Sequence, residues 1–196
     1  MTAAMGPGPG SPGAGVTKVF GIGLNKTGTI SLHHALEVLG LRSLHWGGPD
    51  IGIKVVMCAE AGKPLLQDVG GYDAYSDIIA LSERFDVLDE QYPGSRFVLT
   101  TRPVEDWVAS RRAHVLRNRE RAARGEYQGN FLEIDPDTWR AEFEDHHTRV
   151  AAYFAGRDDL LTMRIAEGDG YELLCPFLGL PLPEEPFPHR HKATPD

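Results

Sequence analysis

The chain has 196 residues with 28 acidic against 20 basic side chains, and its formal net charge of −8 argues against non-specific binding to nucleic acid. Its size fits one domain with a real core, and no apolar run reaches the length of a membrane span. Cys58 and Cys175 form no ligand or redox spacing and are expected as free thiols in a cytoplasmic protein.

Met1 to Val16 is rich in Gly, Pro and Ala without an apolar period. It reads as a disordered leader, lacking the basic start and apolar core of a secretory signal, with residues 17–196 as a single domain. The first element is a buried strand over Lys18–Ile22, and apolar residues at helical spacing predict a helix over Thr29–Leu39 that stops at Gly40. Between them lies Gly23-Leu24-Asn25-Lys26-Thr27-Gly28. The first N–H groups of a helix have no internal partners, and with the helix dipole they favour an anion. Lys26 adds a full charge, and Thr27, Thr29 and Ser31 add hydroxyls. A triphosphatase loop would place its lysine after the last glycine, whereas Lys26 precedes Gly28 by two residues. A dinucleotide fingerprint begins at Gly21 and Gly23 but meets Lys26 at its sixth position.

Further strands are predicted over Arg42–Leu44, Ala74–Ser76, Arg96–Thr101 and Leu160–Arg164. Helices are predicted over Asp50–Ala61, Ile79–Gln91, Val104–Arg119, Asp137–Gly156 and Gly170–Leu178. This alternation predicts an α/β three-layer sandwich with a mostly parallel central sheet flanked by helices. Ligands in such sheets sit beyond the carboxyl ends of the strands, which gathers Lys26, His45, Asp77 and Arg102 on one rim. Pro103 reads as the first residue of a helix, with Arg102 at the strand-to-helix corner. Ser110 lies two turns on, about 10 Å along nearly the same face, so Arg102 and Ser110 can point into one crevice that suits a phosphate. The plainer alternative is that Arg102 caps a helix or pairs with Glu105 or Asp106.

Three blocks carry a family resemblance. Lys26-Thr27-Gly28-Thr29 directly after a strand resembles the 5′-phosphosulfate loop of sulfotransferases. Arg96 to Ser110, a strand ending in Arg102-Thr-Pro103 with a serine eight residues after the arginine, resembles their 3′-phosphate segment. Pro186-Phe187-Pro188-His189-Arg190-His191 is similar to the close of a compact bacterial sulfotransferase-like branch. On these blocks the chain is identified as a member of the sulfotransferase family in the P-loop superfamily. The resemblance implies transfer of a sulfuryl group from 3′-phosphoadenosine 5′-phosphosulfate to a hydroxyl or amine of a small-molecule, lipid or glycan acceptor. In the implied scheme Lys26 partners the leaving phosphate, and Asn25, Thr27, Gly28, Thr29, Ile30 and Ser31 line the 5′-phosphate site. Arg102 and Ser110 hold the 3′-phosphate, and no metal is required. His189 and Arg190 are placed to close over the donor, the plainer alternative being a proline-rich end that pins the chain to the surface. Ile30 departs from the family pattern, since threonine or serine is usual there. The alternatives are a nucleotide-dependent phosphotransferase on the same fold and a non-catalytic nucleotide- or anion-binding module.

Two residues compete as the base that takes the acceptor proton. Asp77 resembles the end of an Asp-x-x-x-Asp segment of the compact branch, and His45 follows the second strand. Their plainer readings are an N-cap for Asp77 and a structural imidazole for His45. Seven of the fifteen arginines fall between Arg102 and Arg124. Of these, Arg111 and Arg112, next to Ser110, are expected nearest the anion, and Arg117 to Arg124 are expected on a solvated face. The adjacent pairs His33-His34 and His146-His147 are not expected to share one ligand, so no metal site is assigned. At least two of Trp46, Trp107 and Trp139 are expected in the core.

Overall fold

Short β-branched and aromatic runs separated by helical periods fold here into alternating strands and helices. The computed structural model describes residues 18–189. The Met1–Val16 leader, Arg190 and His191 lie outside the described residues. In chain order the elements are β1 (Val19–Gly21), α1 (Thr29–Val38), β2 (Ser43–His45), α2 (Pro49–Glu60), β3 (Ala74–Ser76), α3 (Ile79–Ser82), α4 (Phe85–Gln91), β4 (Arg96–Thr100), α5 (Val104–Ala123), α6 (Pro136–Tyr153), β5 (Leu160–Met163), a 3-10 turn (Ile165–Glu167) and α7 (Tyr171–Leu178). All pairings are parallel, in the order β2-β3-β1-β4-β5. β1 therefore lies centrally, with Gly21 in register with Ser76 on one side and Val98 on the other.

Alternation along the strands builds two cores, because successive side chains point to opposite faces. Phe20, Ile22, Phe97 and Leu99 pack with Val55, Leu81, Phe85, Leu88, Val150 and Phe154 from α2, α3, α4 and α6 and the residue after α6. Val19, Ala74, Val98 and Met163 pack on the other face with Leu32, Leu36, Leu174 and Leu178 from α1 and α7. These are the three layers expected from the pattern of elements. A third cluster of Leu24, Trp107, Val108, Val115, Trp139 and Phe143 joins the loop after β1 to α5 and α6. Trp107 is fully buried there, and a buried aromatic of this kind stabilises by about 2–3 kcal/mol.

Most boundaries shift by one to three residues from the sequence expectation, as at the end of α6, which is Tyr153 rather than Gly156, and three differences go further. The helix expected over Ile79–Gln91 is two helices, broken at Glu83-Arg84, where Arg84 leaves the helical region and its guanidinium donates to the Ala80 carbonyl at 2.9 Å. No glycine or proline marks that break, and Leu81, Phe85 and Leu88 keep one apolar period across it, so periodicity alone reads straight through. Helix α5 runs to Ala123, past the expected Arg119, and Gly125 at φ 74° follows it. Pro103 stands at the N-cap with ψ 135°, one residue before the helix rather than inside it. Among the described residues no helix is long and apolar enough to cross a membrane. Cys58 and Cys175 are buried and free.

Candidate functional site at the carboxyl rim

The loop after β1 is shaped by what it must approach. A Cβ on Gly23 would run into the hydroxyl and carbonyl of Thr100 and lie 2.8 Å from its amide nitrogen, so only glycine lets the loop cross the end of β4. Thr27, buried, ties the same crossing together: its hydroxyl donates to the Leu24 carbonyl at 2.5 Å and sits 2.6 Å from the Thr100 hydroxyl. The Trp107 indole N–H donates to the Asn25 carbonyl at 2.6 Å, which fixes the loop to α5. Gly23→Ala is therefore expected to cost on the order of 2–3 kcal/mol through overpacking against backbone, read as a lower urea midpoint. An unchanged midpoint would show that the loop can lift off β4 freely.

Past this crossing the chain leaves an anion-shaped opening. Lys26 holds φ 66° and Gly28 φ 110°, and the first α1 hydrogen bond runs from the Leu32 N–H to the Gly28 carbonyl at 3.0 Å. The amides of Thr29 and Ile30 precede that bond, and no side chain caps the helix. The open turn and the dipole behind it favour a negative group. Ile30 is partly exposed in this turn, and Ser31 is buried beneath it. The hydroxyl of Thr27 faces the fold, so what that residue offers the opening is backbone.

Arg102 reaches the same loop from the end of β4. Its Nη1 donates to the Lys26 carbonyl at 3.3 Å, while its Nε is buried without a hydrogen-bond partner. The Asn25 Oδ1 is likewise buried and unpartnered. Neither Glu105 nor Asp106 takes Arg102: Glu105 pairs with Arg140, Nε to Oε1, at 2.7 Å. Ser110 is half-buried on α5, two turns from Arg102. Beneath the rim, His146 Nε2 lies 2.8 Å from the Ile22 carbonyl, and His147 lies 2.8 Å from the Thr101 hydroxyl. Both histidines of that pair are therefore bound to the strand ends.

On the other side of the loop, Thr29, His45 and Asp77 form one hydrogen-bonded group. The Thr29 hydroxyl donates to Asp77 Oδ1 at 3.3 Å, and His45 Nε2 lies 3.2 Å from Thr29 Oγ1 and 3.5 Å from Asp77 Oδ2. Thr29 has one hydroxyl hydrogen, and it goes to Asp77, so His45 must donate from Nε2 to Thr29. Burial pushes the Asp77 carboxyl up to about 6, against the opposing pull of Lys26 and the Thr29 bond. Burial, the neighbouring His33 and His34, and Lys26 push His45 down to about 4. At neutral pH Asp77 is thus mainly an anion and His45 a neutral donor. Asp77 is not the N-cap of α3: that position belongs to Ile78, and Asp77 itself is held at φ 58°. Lys26, Trp46 and Asp77 are the described non-glycine residues with positive φ, and each follows a strand at this rim. Strain of this kind persists where the surroundings over-determine it, and it collects at functional sites.

Helix α5 contributes differently from its expected role. Arg111 stacks on Trp107, Phe131 and Trp139 at 4.9, 5.1 and 5.0 Å and pairs with Glu142 at 3.1 Å, so it joins α5 to α6 rather than facing the opening. Arg117 is exposed, as expected, yet close enough to Lys26 to lower its ammonium pKa, after the larger effect of burial. His114, one turn before, has a buried Nδ1 without a partner, packs on Phe131 at 5.4 Å, and is pushed down to about 4 by burial and then by Lys26, Arg117 and Arg121. Ser110, His114, Arg117 and Arg121 recur at helical spacing, which makes one polar stripe beside Lys26. Only that periodicity could have pointed to His114, and nothing in the sequence fixed which face of α5 met the rim.

The remaining expectations resolve individually. Trp107 and Trp139 are buried, whereas Trp46 is exposed on the turn after β2. His33 and His34 do meet: their rings lie 4.9 Å apart and both reach Glu37, with ligand atoms of the three residues within 4.8 Å of one another. Sequence adjacency was therefore a poor reason to separate them, because Glu37 lies three and four residues on and both rings bend toward it. His189 rests on Phe187, which packs on Tyr171, so this end is pinned to α7 as far as the described residues reach. Arg190 is outside them.

A family model for a sulfotransferase domain matches residues 18–128 and 119–195. A curated relative, Ava biosynthesis cluster protein M of Aspergillus versicolor, is 30% identical over 213 residues, covering 88% of this chain and 80% of the relative.

Proposed function

The chain belongs to the sulfotransferase family, and from that premise we propose that it moves a sulfuryl group from 3′-phosphoadenosine 5′-phosphosulfate to the hydroxyl or amine of an acceptor. The observation that carries this reading is the meeting of two unlike groups at one rim: a cationic opening at Lys26 and the uncapped start of α1, and a half-buried carboxylate at Asp77 beside it. Transfer of a charged group needs alignment, charge neutralisation at the departing oxygen and removal of the acceptor proton, with little covalent help. The donor's negative groups fit what the chain leaves unsatisfied. The α1 amides and Lys26 would take the 5′-phosphate, and the unpartnered Arg102 Nε with Ser110 would take the 3′-phosphate.

In this reading Asp77 accepts the acceptor's hydroxyl proton at a carboxylate oxygen as that oxygen bonds to sulfur. Lys26 meets the charge left on the bridging oxygen of the 5′-phosphate when its bond to sulfur breaks, and Arg117 adds to the positive field there. The products are the acceptor's sulfate ester and 3′-phosphoadenosine 5′-phosphate. His45 is a positioning residue: it holds Thr29, and Thr29 holds Asp77. A base is most effective with a pKa near the working pH, which favours Asp77 over a histidine pushed down to about 4. The relative's name places it in a biosynthesis cluster, which supports a small-molecule acceptor.

Calorimetry tests the donor. 3′-Phosphoadenosine 5′-phosphate is expected to bind more tightly than ADP, ATP or magnesium-ATP, and Arg102→Ala is expected to reduce that preference by about 10–100-fold, the value of one or two lost charged hydrogen bonds. Preference for ATP, or indifference to the 3′-phosphate, would favour a phosphotransferase or a plain binding module instead.

A further inference from the structure

Beside the hydrogen-bonded group of Thr29, His45 and Asp77 the rim displays two exposed apolar side chains, Trp46 and Ile79, in contrast to the cationic stripe on α5. Trp46 is 57% exposed, whereas Trp107 and Trp139 are 0% and 5% exposed. It holds φ 57°, an uncommon backbone for a bulky side chain, so its display has a conformational cost. The turn that bears it is fixed. The Trp46 N–H donates to the Ser76 carbonyl at 3.0 Å, on the strand that delivers Asp77, and the Gly47 position is closed off by Ile51 and Leu44. Ile79, two residues after Asp77, is 37% exposed. Scattered apolar residues on a surface need no explanation, but Trp46, whose amide is tied to the residue before Asp77, and Ile79, two residues after it, bracket one half-buried carboxylate.

We propose that the acceptor is an uncharged apolar alcohol or phenol built on a ring system, which lies on Trp46 and Ile79 and presents its hydroxyl to Asp77. This rests on the reading of Asp77 as the base. An aromatic face beside an aliphatic surface stabilises a flat or saturated ring by contact and by loss of water. A sugar would bring several hydroxyls onto the same surface, where Trp46 and Ile79 give them no partner, and each unpaired group would cost binding energy. The acceptor proton goes to Asp77 and the sulfuryl group to the acceptor oxygen, so the step balances as written above.

A matched pair of transparent probes tests the proposal: decahydro-2-naphthol, an apolar bicyclic alcohol, against myo-inositol, a polar ring. Iodide quenching of tryptophan emission reports Trp46, because the other two tryptophans are buried. With saturating 3′-phosphoadenosine 5′-phosphate, the bicyclic alcohol is expected to shield the emission and inositol to leave it unchanged. In turnover with the phosphosulfate donor, Trp46→Ala is expected to raise KM for the bicyclic alcohol about tenfold with kcat and nucleotide affinity unchanged, and Trp46→Phe to restore most of the loss. Shielding by inositol, shielding by neither alcohol, shielding that grows with protein concentration, or shielding only by phosphatidylcholine vesicles would each overturn it. Nucleotide binding without shielding sinks this inference alone; shielding without nucleotide binding sinks the donor assignment alone.

Discussion

Lys26→Ala is expected to lower kcat by about 10²–10³-fold or more while leaving the fold intact, measured by single-turnover transfer beside a denaturation curve. The size follows from position. In the proposed transfer, charge develops in the transition state on the bridging oxygen, and an ammonium held beside it would need no reorganisation at the moment of reaction. Burial holds the Lys26 pKa below its ordinary value, with Asp77 opposing and Arg117 adding to the shift, so keeping this charge in the folded protein has a cost. The alanine variant should therefore keep or slightly raise its urea midpoint. The left-handed backbone at position 26 is no argument against the variant, since lysine and alanine both carry a Cβ. Turnover within a few-fold of the parent chain would remove Lys26 from the chemistry.

Asp77→Asn is expected to lower kcat by about 10²–10⁴-fold, the usual worth of a positioned base, and at the same time to stabilise the protein. The sign follows from the raised pKa. Asp77 titrates at about 6 in the folded chain against an ordinary value of 3.8, so the folded state binds the proton more readily than the unfolded one. Stability from this group is present below the unfolded value and declines as pH rises from about 4 through about 6. Above that window the ionised carboxylate is a constant penalty of at most roughly 3 kcal/mol, and asparagine removes it while keeping an acceptor for Thr29. The parent kcat/KM should fall as pH drops through about 6, and the asparagine variant should lose that limb. His45 has the opposite sign: folded near 4 against 6.5, it withdraws stability as pH falls from about 6.5 to about 4. Full activity in Asp77→Asn with loss in His45→Ala would exchange the two roles.

Much of this fold was legible because its signals are local. Strands over Ala74–Ser76 and Arg96–Thr100 are short apolar runs bounded by turns, and α1 begins and ends at glycines that only a few backbone geometries need. The rim followed from the parallel rule, since a residue directly after a strand must lie there. The break at Glu83-Arg84 was not legible, because no residue there forbids a helix. Arg111 and Arg117 could not be ranked by nearness to Ser110 in sequence, since helix rotation sends one between aromatic rings and the other toward Lys26. Asp77 likewise needed the structure to exclude the cap, since Ile78 holds that position.

By itself the sequence determined the order of strands and helices, the phosphate-shaped loop with its displaced lysine, and the residue types that end on the rim. Those depend on spacing, backbone freedom and charge along the chain. Tertiary structure alone decided which hydroxyl faces the fold and which faces the opening, which arginine senses Lys26, and that Thr29, His45 and Asp77 share one set of hydrogen bonds. Each of these joins residues from separate elements, and burial, which only packing creates, sets the charge that each of them carries.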